Sequence, residues 1–277
     1  MRINWRLKSC FFRFIDFLSL YNLLYFLQKN ITRRSKVKID HIEFAWLTHE
    51  NHLWPIQNPR LIEFGAGKHL GQNIYLSKFA KEQVVVDLFS MLDMSEFNSA
   101  AAQIARLTNL KVAPVFSLSD IRNNYGITYL APFDIAKSSF DDDSFDACIS
   151  SYTLEHIPKG SIYEIFKELK RIIRNEGIIS AIIDYSDHYA HTDNSISRLN
   201  YLSFNSMEFE RYNHKSHYQN RLRHYNYADI FRELGFVILK SEALNRIEPP
   251  SEISGEFNVE DDATFATLGV FLLRVEK

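Results

Sequence analysis

Cysteine is scarce in this chain: Cys10 and Cys148 are the two among 277 residues, and they are far apart. Two thiols leave no room for a disulfide framework or a cysteine-rich metal site. Cys148 also falls in an apolar run that reads as a core strand, so the expectation is a reduced, cytoplasmic protein. Long apolar runs are missing too. The most hydrophobic stretch, Phe11 to Leu27, is interrupted by Arg13 and Asp16, whereas a bilayer span wants about twenty mostly apolar residues. No small-x-small cleavage site follows it, which argues against a secretory leader. Acidic residues are nearly absent before Ile39, where Asp16 stands alone against Arg2, Arg6, Lys8, Arg13, Lys29, Arg33, Arg34, Lys36 and Lys38. The remainder is therefore acidic, which argues against a nucleic-acid-binding body. Repeats and low-complexity tracts are lacking. A chain of 277 residues has room for one sizeable α/β domain with additions.

What is present is concentrated in one stretch. Leu61 to Gly67 read L-I-E-F-G-A-G, and a second apolar run, Val84 to Val86, ends on Asp87. Strand, Gly-x-Gly, helix, strand and acid, in that order, is how an open α/β sheet holds an adenosine-bearing cofactor. Gly65 and Gly67 allow a sharp turn and leave room for a ligand. A helix over 71–81 would point its N-terminus at that ligand, and Asp87 can accept hydrogen bonds from both hydroxyls of a ribose. Leu70 stands where a dinucleotide fingerprint needs a third Gly or Ala, and Glu63 places a carboxylate beside the loop. Such a loop suits a cation better than a pyrophosphate; S-adenosylmethionine carries a sulfonium and an ammonium. Lys68 and His69 are expected to point to solvent.

Downstream, Tyr129 to Ile135 read Y-L-A-P-F-D-I, and an acidic loop leads into a strand over 147–150 that ends in S-Y-T-L-E-H-I-P, Ser151 to Pro158. Ile162, Ile165, Phe166, Leu169, Ile172 and Ile173 recur at helical spacing. Asn175-Glu176-Gly177 reads as the stop of that helix, and the strand over 178–183 ends on Asp184. Further on, a helix over 227–234 stops at Gly235, and strands over 236–240 and 267–275 form a final antiparallel pair.

On these motifs the chain resembles the class I S-adenosylmethionine-dependent methyltransferases, nearest the type 11 methyltransferase domain, over about Arg60 to Tyr185. The resemblance implies a Rossmann-like α/β fold, a seven-stranded sheet of order 3-2-1-4-5-7-6 with helices on both faces. It also implies S-adenosylmethionine as cofactor. The cofactor-binding residues would be Glu63, Gly65, Ala66 and Gly67, then Asp87 with Leu88, then the adenine-flanking pair Asp134 and Ile135, then Ser151, Tyr152 and His156. It further implies that the lead-in over 39–58 carries a helix that closes over the cofactor. His49 and His52 in that lead-in read as polar surface groups.

Two regions lie outside the shared core. Residues 1–38 form a basic, apolar helical extension before a methyltransferase domain over 39–277. It either caps that core or lies in the bilayer interface with its cations near anionic lipid at the inner face of the membrane; both can hold. Residues 186–225, after the fifth strand, exceed an ordinary strand-to-helix loop and carry half of the chain's ten histidines. Ligands bind beyond the carboxyl ends of such strands, so this insert reads as an acceptor pocket or lid; the alternative is a solvated, loosely helical insert with no chemical role. A hydroxyl nucleophile must lose its proton, and a histidine oriented by a carboxylate does this near neutral pH. His188 is the candidate base, Asp187 or Asp184 its orienting acid, and His191 the substitute. His188 and His191 could also hold a metal with Asp187 and Asp193, but such a site would favour oxygen ligands, and no metal is expected. The insert also resembles, more loosely, methyltransferases of surface-polysaccharide and lipid-linked glycan assembly, through Asp187 to Asp193, Ser195 to Leu202 and Tyr218 to Arg223. The expected activity is O-methylation of a sugar or lipid-linked glycan. Rival readings are a small aromatic or quinone-like acceptor, and a non-catalytic nucleoside-binding partner protein at the membrane.

Overall fold

The computed structural model describes residues 3–20 and 42–277. The basic run Lys29 to Lys38, and with it most of the expected extension over 1–38, lies outside the described residues. β1 (Arg60–Phe64), β2 (Glu82–Val86), β3 (Ile127–Leu130), β4 (Phe145–Ser151), β5 (Ile173–Asp184), β6 (Phe236–Arg246) and β7 (Ala266–Val275) form one sheet of order 3-2-1-4-5-7-6. β1 to β5 run parallel, and β7 lies antiparallel between β5 and β6. The strand order reverses between β1 and β4, which opens a crevice at their carboxyl ends.

The helices are α1 (Trp5–Phe17), α2 (Glu43–Leu53), α3 (Gly71–Leu76), α4 (Met94–Thr108), α5 (Leu118–Tyr125), α6 (Lys159–Ile172), α7 (Ser206–Glu210) and α8 (His224–Glu233). One core layer joins the sheet to α6 and α8 through Ile62, Cys148, Ile162, Phe166, Ile179 and Phe231. The other joins it to α2, α3, α4 and α5 through Trp46, Ile74, Val85, Phe97 and Ile121. In α6 the periodic residues Ile162, Ile165, Phe166, Leu169 and Ile172 are buried, each worth about 1.5–3 kcal/mol relative to exposure.

Three local expectations fail for identifiable reasons. α3 stops at Leu76, well before Lys81, and the chain turns down to start β2. Gly177 does not end α6; it lies inside β5, where the pairing with β4 shifts between Phe145 and Ala147. A Cβ on Gly177 would stand 2.8 Å from the Asp146 carbonyl, so the glycine answers a close approach of two strands. His69 does not point to solvent: it is half-buried and its Nδ1 accepts the Gly71 amide at 3.0 Å, while burial lowers its pKa to about 4.

Residues 186–225 are packed rather than solvated. Leu199, Tyr201, Leu202 and Phe209 form a small core of their own. Arg223 is fully buried, donating to the Tyr185 carbonyl at 2.9 Å and also to the Ala266 carbonyl and the Tyr201 hydroxyl.

Candidate active site

A cavity of 800 Å³ opens at the carboxyl ends of β1, β2 and β4. Its walls include Gly65 and Gly67, Asp87 and Leu88, Asp134 and Ile135, and Tyr152 and His156. Both glycines have left-handed φ, +77° and +75°, a conformation that costs a side-chain-bearing residue dearly. Their surroundings differ. A Cβ on Gly65 would fall 2.2 Å from Thr153 Cγ2, whereas one on Gly67 would meet nothing within 4 Å. Gly65 is needed for packing and Gly67 for open space above the loop.

Asp87 directly follows β2 and is almost fully buried, with its carboxylate accepting from the Tyr129 hydroxyl at 2.9 Å. Burial raises its pKa, while Tyr129 and the amides of Gly67, Ala66 and Gly65 work against that rise. The carboxylate and the glycine loop therefore face each other. Asp134 is exposed and caps the turn Ile135–Lys137 through the Ala136 amide. Leu88, Phe89 and Met91 are exposed apolar side chains on the same wall.

Other expected residues lie elsewhere. Glu63 does not line the cavity. It is buried under the loop and accepts from the side-chain amides of Gln72 and Asn73 at the start of α3, the latter at 2.6 Å. Burial pushes its carboxyl up to about 8, so the argument that it presents a charge to a cationic ligand fails. Ala66 and Ser151 are not wall residues either. The Ser151 hydroxyl meets His49 Nε2 at 2.7 Å, and His49 Nδ1 meets Ser180 Oγ at 2.7 Å. His49 and His52 were expected on the surface; both are buried and share Ser180 as a partner. Burial lowers them to about 3 and about 4.

Tyr152 has φ +54°, uncommon for a bulky residue and a mark of backbone held by its surroundings. Burial, with the charges of Asp184 and Glu155, raises its phenol to about 12, so it stays a hydroxyl donor in the cavity wall. His156 Nδ1 stands 3.0 Å from the Tyr218 carbonyl. Burial and the neighbouring His188 lower its pKa.

Behind His156 lies a group of imidazoles and carboxylates. The rings of His156 and His188 are 4.8 Å apart, and those of His188 and His191 are stacked at 5.0 Å. Asp184 Oδ2 is 3.6 Å from Nε2 of each of His188 and His191. Burial would raise the Asp184 carboxyl, but His188 and both the hydroxyl and the amide of Ser186 hold it at about 2. Asp187 is not part of this group. It accepts from the Tyr189 amide at 2.8 Å and from Asn200 at 3.1 Å, so the acid beside His188 is Asp184. Asp193 is likewise engaged elsewhere, by the Trp5 amide and Ser195. Neither His188 nor His191 lines the cavity; the histidine that does is His156. Thr153, Tyr129 and Glu155 were missed as site residues. The run of polar groups between Ser151 and His156 is the only sequence signal for two of them.

Residues 63–181 match the family model of the type 11 methyltransferase domain. The chain carries a methyltransferase domain whose cofactor is S-adenosylmethionine. No curated protein matches it in sequence. Among solved structures the methyltransferase is similar to the 1,6-didemethyltoxoflavin-N1-methyltransferase of Burkholderia thailandensis, determined with 1,6-didemethyltoxoflavin and S-adenosylhomocysteine bound. The two share 13% identity over 98% of this chain and 90% of that one, at a TM-score of 0.52. It is also similar to the CurJ carbon methyltransferase, at 14% identity over 80% of this chain and 50% of that one, TM-score 0.45. At 13% identity the first of these likenesses speaks for the fold alone. The cavity fits the cofactor on its own terms. Its lining combines open space over Gly67, the carboxyl group of Asp87 and the apolar side chains of Leu88, Phe133 and Ile135, a set that suits a charged amino-acid group, a ribose and an adenine.

Proposed function

We propose that the methyltransferase O-methylates a hydroxyl of a sugar or lipid-linked glycan. The observation that carries this reading is His156. Its Nδ1 faces a carbonyl oxygen, which only accepts, so Nδ1 holds the ring proton and Nε2 keeps its lone pair. A neutral imidazole on the cavity wall is what a hydroxyl acceptor requires. The role of base thus moves from His188, which is set back from the cavity, to His156. When bound, S-adenosylmethionine supplies a methyl carbon on sulfonium, open to in-line attack. The glycine loop and Asp87 would hold the donor, Tyr152 would donate a hydrogen bond into the cavity, and His156 would take the proton of the acceptor hydroxyl. The polar, aromatic insert supports a polyhydroxylated acceptor. An exposed apolar row on α1, Leu7, Phe11, Phe14 and Phe17, supports one presented at a membrane surface.

A saturating ligand at a hundred times its dissociation constant adds about 2.7 kcal/mol of stability. S-adenosylhomocysteine should therefore raise the melting temperature of the wild type and not that of Asp87→Ala. With a labelled methyl donor and a panel of sugars, lipid-linked glycans, phenols and quinones, label is expected on glycan oxygen. His156→Gln should lose about 10²–10⁴-fold in kcat and keep the S-adenosylhomocysteine shift. Label confined to phenols or quinones would refute the acceptor class.

A further inference from the structure

We propose that Asp184, His188 and His191 form a binding site for one divalent transition metal ion of the zinc type, with three protein ligands and an open position. This reverses the expectation that the chain holds no metal, and it goes beyond the methyl-transfer reading, since ion binding can be read without any transfer.

The geometry comes first. Asp184 Oδ2 lies 3.6 Å from Nε2 of both histidines, and one ligand atom from each of the three residues lies within 4.8 Å of the others. With bonds of about 2.0–2.1 Å, neighbouring ligands of a tetrahedral ion stand about 3.4 Å apart, so small side-chain rotations close the site. The supports are in place. The tight turn after β5, in which the Ala190 amide donates to the Asp187 carbonyl and the Thr192 amide to the Tyr189 carbonyl, puts His188 and His191 on one side. The other Asp184 oxygen, Oδ1, accepts from the Ser186 amide at 2.8 Å and its hydroxyl at 2.6 Å, which fixes the carboxylate as an outer shell does around a metal.

Polar atoms left without a partner point the same way. His188 Nε2 and Glu155 Oε2 are buried and make no hydrogen bond, where nearly all buried polar atoms have one. Glu155 and His156 also lie near His188, their ligand atoms within 4.8 Å of one another. Two carboxyl groups therefore stand near one imidazole. A cation held by Asp184, His188 and His191 gives the unpaired His188 Nε2 its partner. Two imidazoles and one carboxylate favour zinc, iron or nickel over magnesium or calcium, which prefer oxygen. His191 is half exposed and gives the ion a way in.

The test uses the untagged full-length chain, stripped with chelator. Zinc is titrated by calorimetry and cobalt(II) by visible absorption. One equivalent per chain and the d–d bands of a four-coordinate cobalt site are expected. Asp184→Asn and His188→Gln should each weaken zinc binding by at least about a hundredfold, and Ser186→Ala by about ten- to a hundredfold; His214→Gln, whose imidazole pairs with Ser9, should not. Should the ligand variants fail to fold by circular dichroism, zinc should still protect His191 of the wild type from acylation by diethyl pyrocarbonate, read by mass spectrometry. Binding below a tenth of an equivalent, unchanged affinity in folded ligand variants, no protection of His191, or displacement of zinc by equimolar magnesium would each overturn the site.

Discussion

At the scale of single residues, the two loop glycines have the same backbone conformation and different duties. Alanine at either position carries the left-handed φ penalty of about 1–2 kcal/mol. At Gly67 that is the whole cost to folding, because a Cβ there meets nothing. At Gly65 the new methyl strikes Thr153, whose hydroxyl donates to the Gly65 carbonyl at 3.0 Å. Moving Thr153 breaks that bond and overpacks the turn, adding about 1–3 kcal/mol. Urea unfolding should therefore rank Gly65→Ala clearly below Gly67→Ala in stability. The S-adenosylhomocysteine shift should be impaired in Gly67→Ala even though that variant folds, since its methyl fills the ligand's space. Equal stabilities would mean that Thr153 gives way without cost.

Among elements, β1 and α3 are locked together by a carboxyl group that is out of reach of water. Glu63 meets Gln72 and Asn73, and burial raises it from 4.5 to about 8. The native chain thus holds a proton that the unfolded chain gives up as pH rises above about 4.5. Stability from this group is complete at lower pH, falls through the window from about 4.5 to about 8 and then levels off, with a ceiling of about 5 kcal/mol. Glu63→Gln removes the titration. Urea unfolding at pH 5 and pH 8.5 should show the variant gaining on the wild type between the two conditions; a constant difference would show that Glu63 is ionised in the fold. The same element illustrates what the sequence does and does not carry. The short apolar run Leu61 to Phe64 and the paired glycines are local signals, so the strand, the loop and the place of Asp87 could be read directly. The direction in which Glu63 points depends on α3, whose buried Gln72 and Asn73 donate to it across a turn that the sequence does not reveal. In the same way Asp187 and Asp184 are equivalent in sequence beside His188. The folding of the insert separates them, by tying Asp187 to Asn200 and the Tyr189 amide. Likewise, His49 looks like a surface group until β4 and β5 bring Ser151 and Ser180 to it.

For the molecule as a whole, α1 is the element whose two faces belong to different environments. Trp5 packs on Tyr189, Phe204 and Tyr212, and Phe12 stacks on His217 at 4.5 Å. Ser9 pairs with His214 and Asp16 accepts the Ser216 amide, so the inner face secures the insert that walls the histidine cluster. The outer face carries Leu7, Phe14 and Phe17 at 68%, 54% and 84% exposure, the apolar row that the proposed membrane contact would cover. No helix among the described residues is long and apolar enough to cross a membrane, so contact with lipid would be along the surface. Leu7→Glu/Phe14→Glu alters only the outer row and leaves Trp5, Phe12 and Ile15 in place. Each lost side chain is worth about 1.5–3 kcal/mol on burial. The double variant should therefore bind anionic vesicles at least about a hundredfold more weakly while keeping its S-adenosylhomocysteine shift. If wild type and variant pellet equally with anionic vesicles, the outer row does not meet lipid, and α1 serves the insert alone.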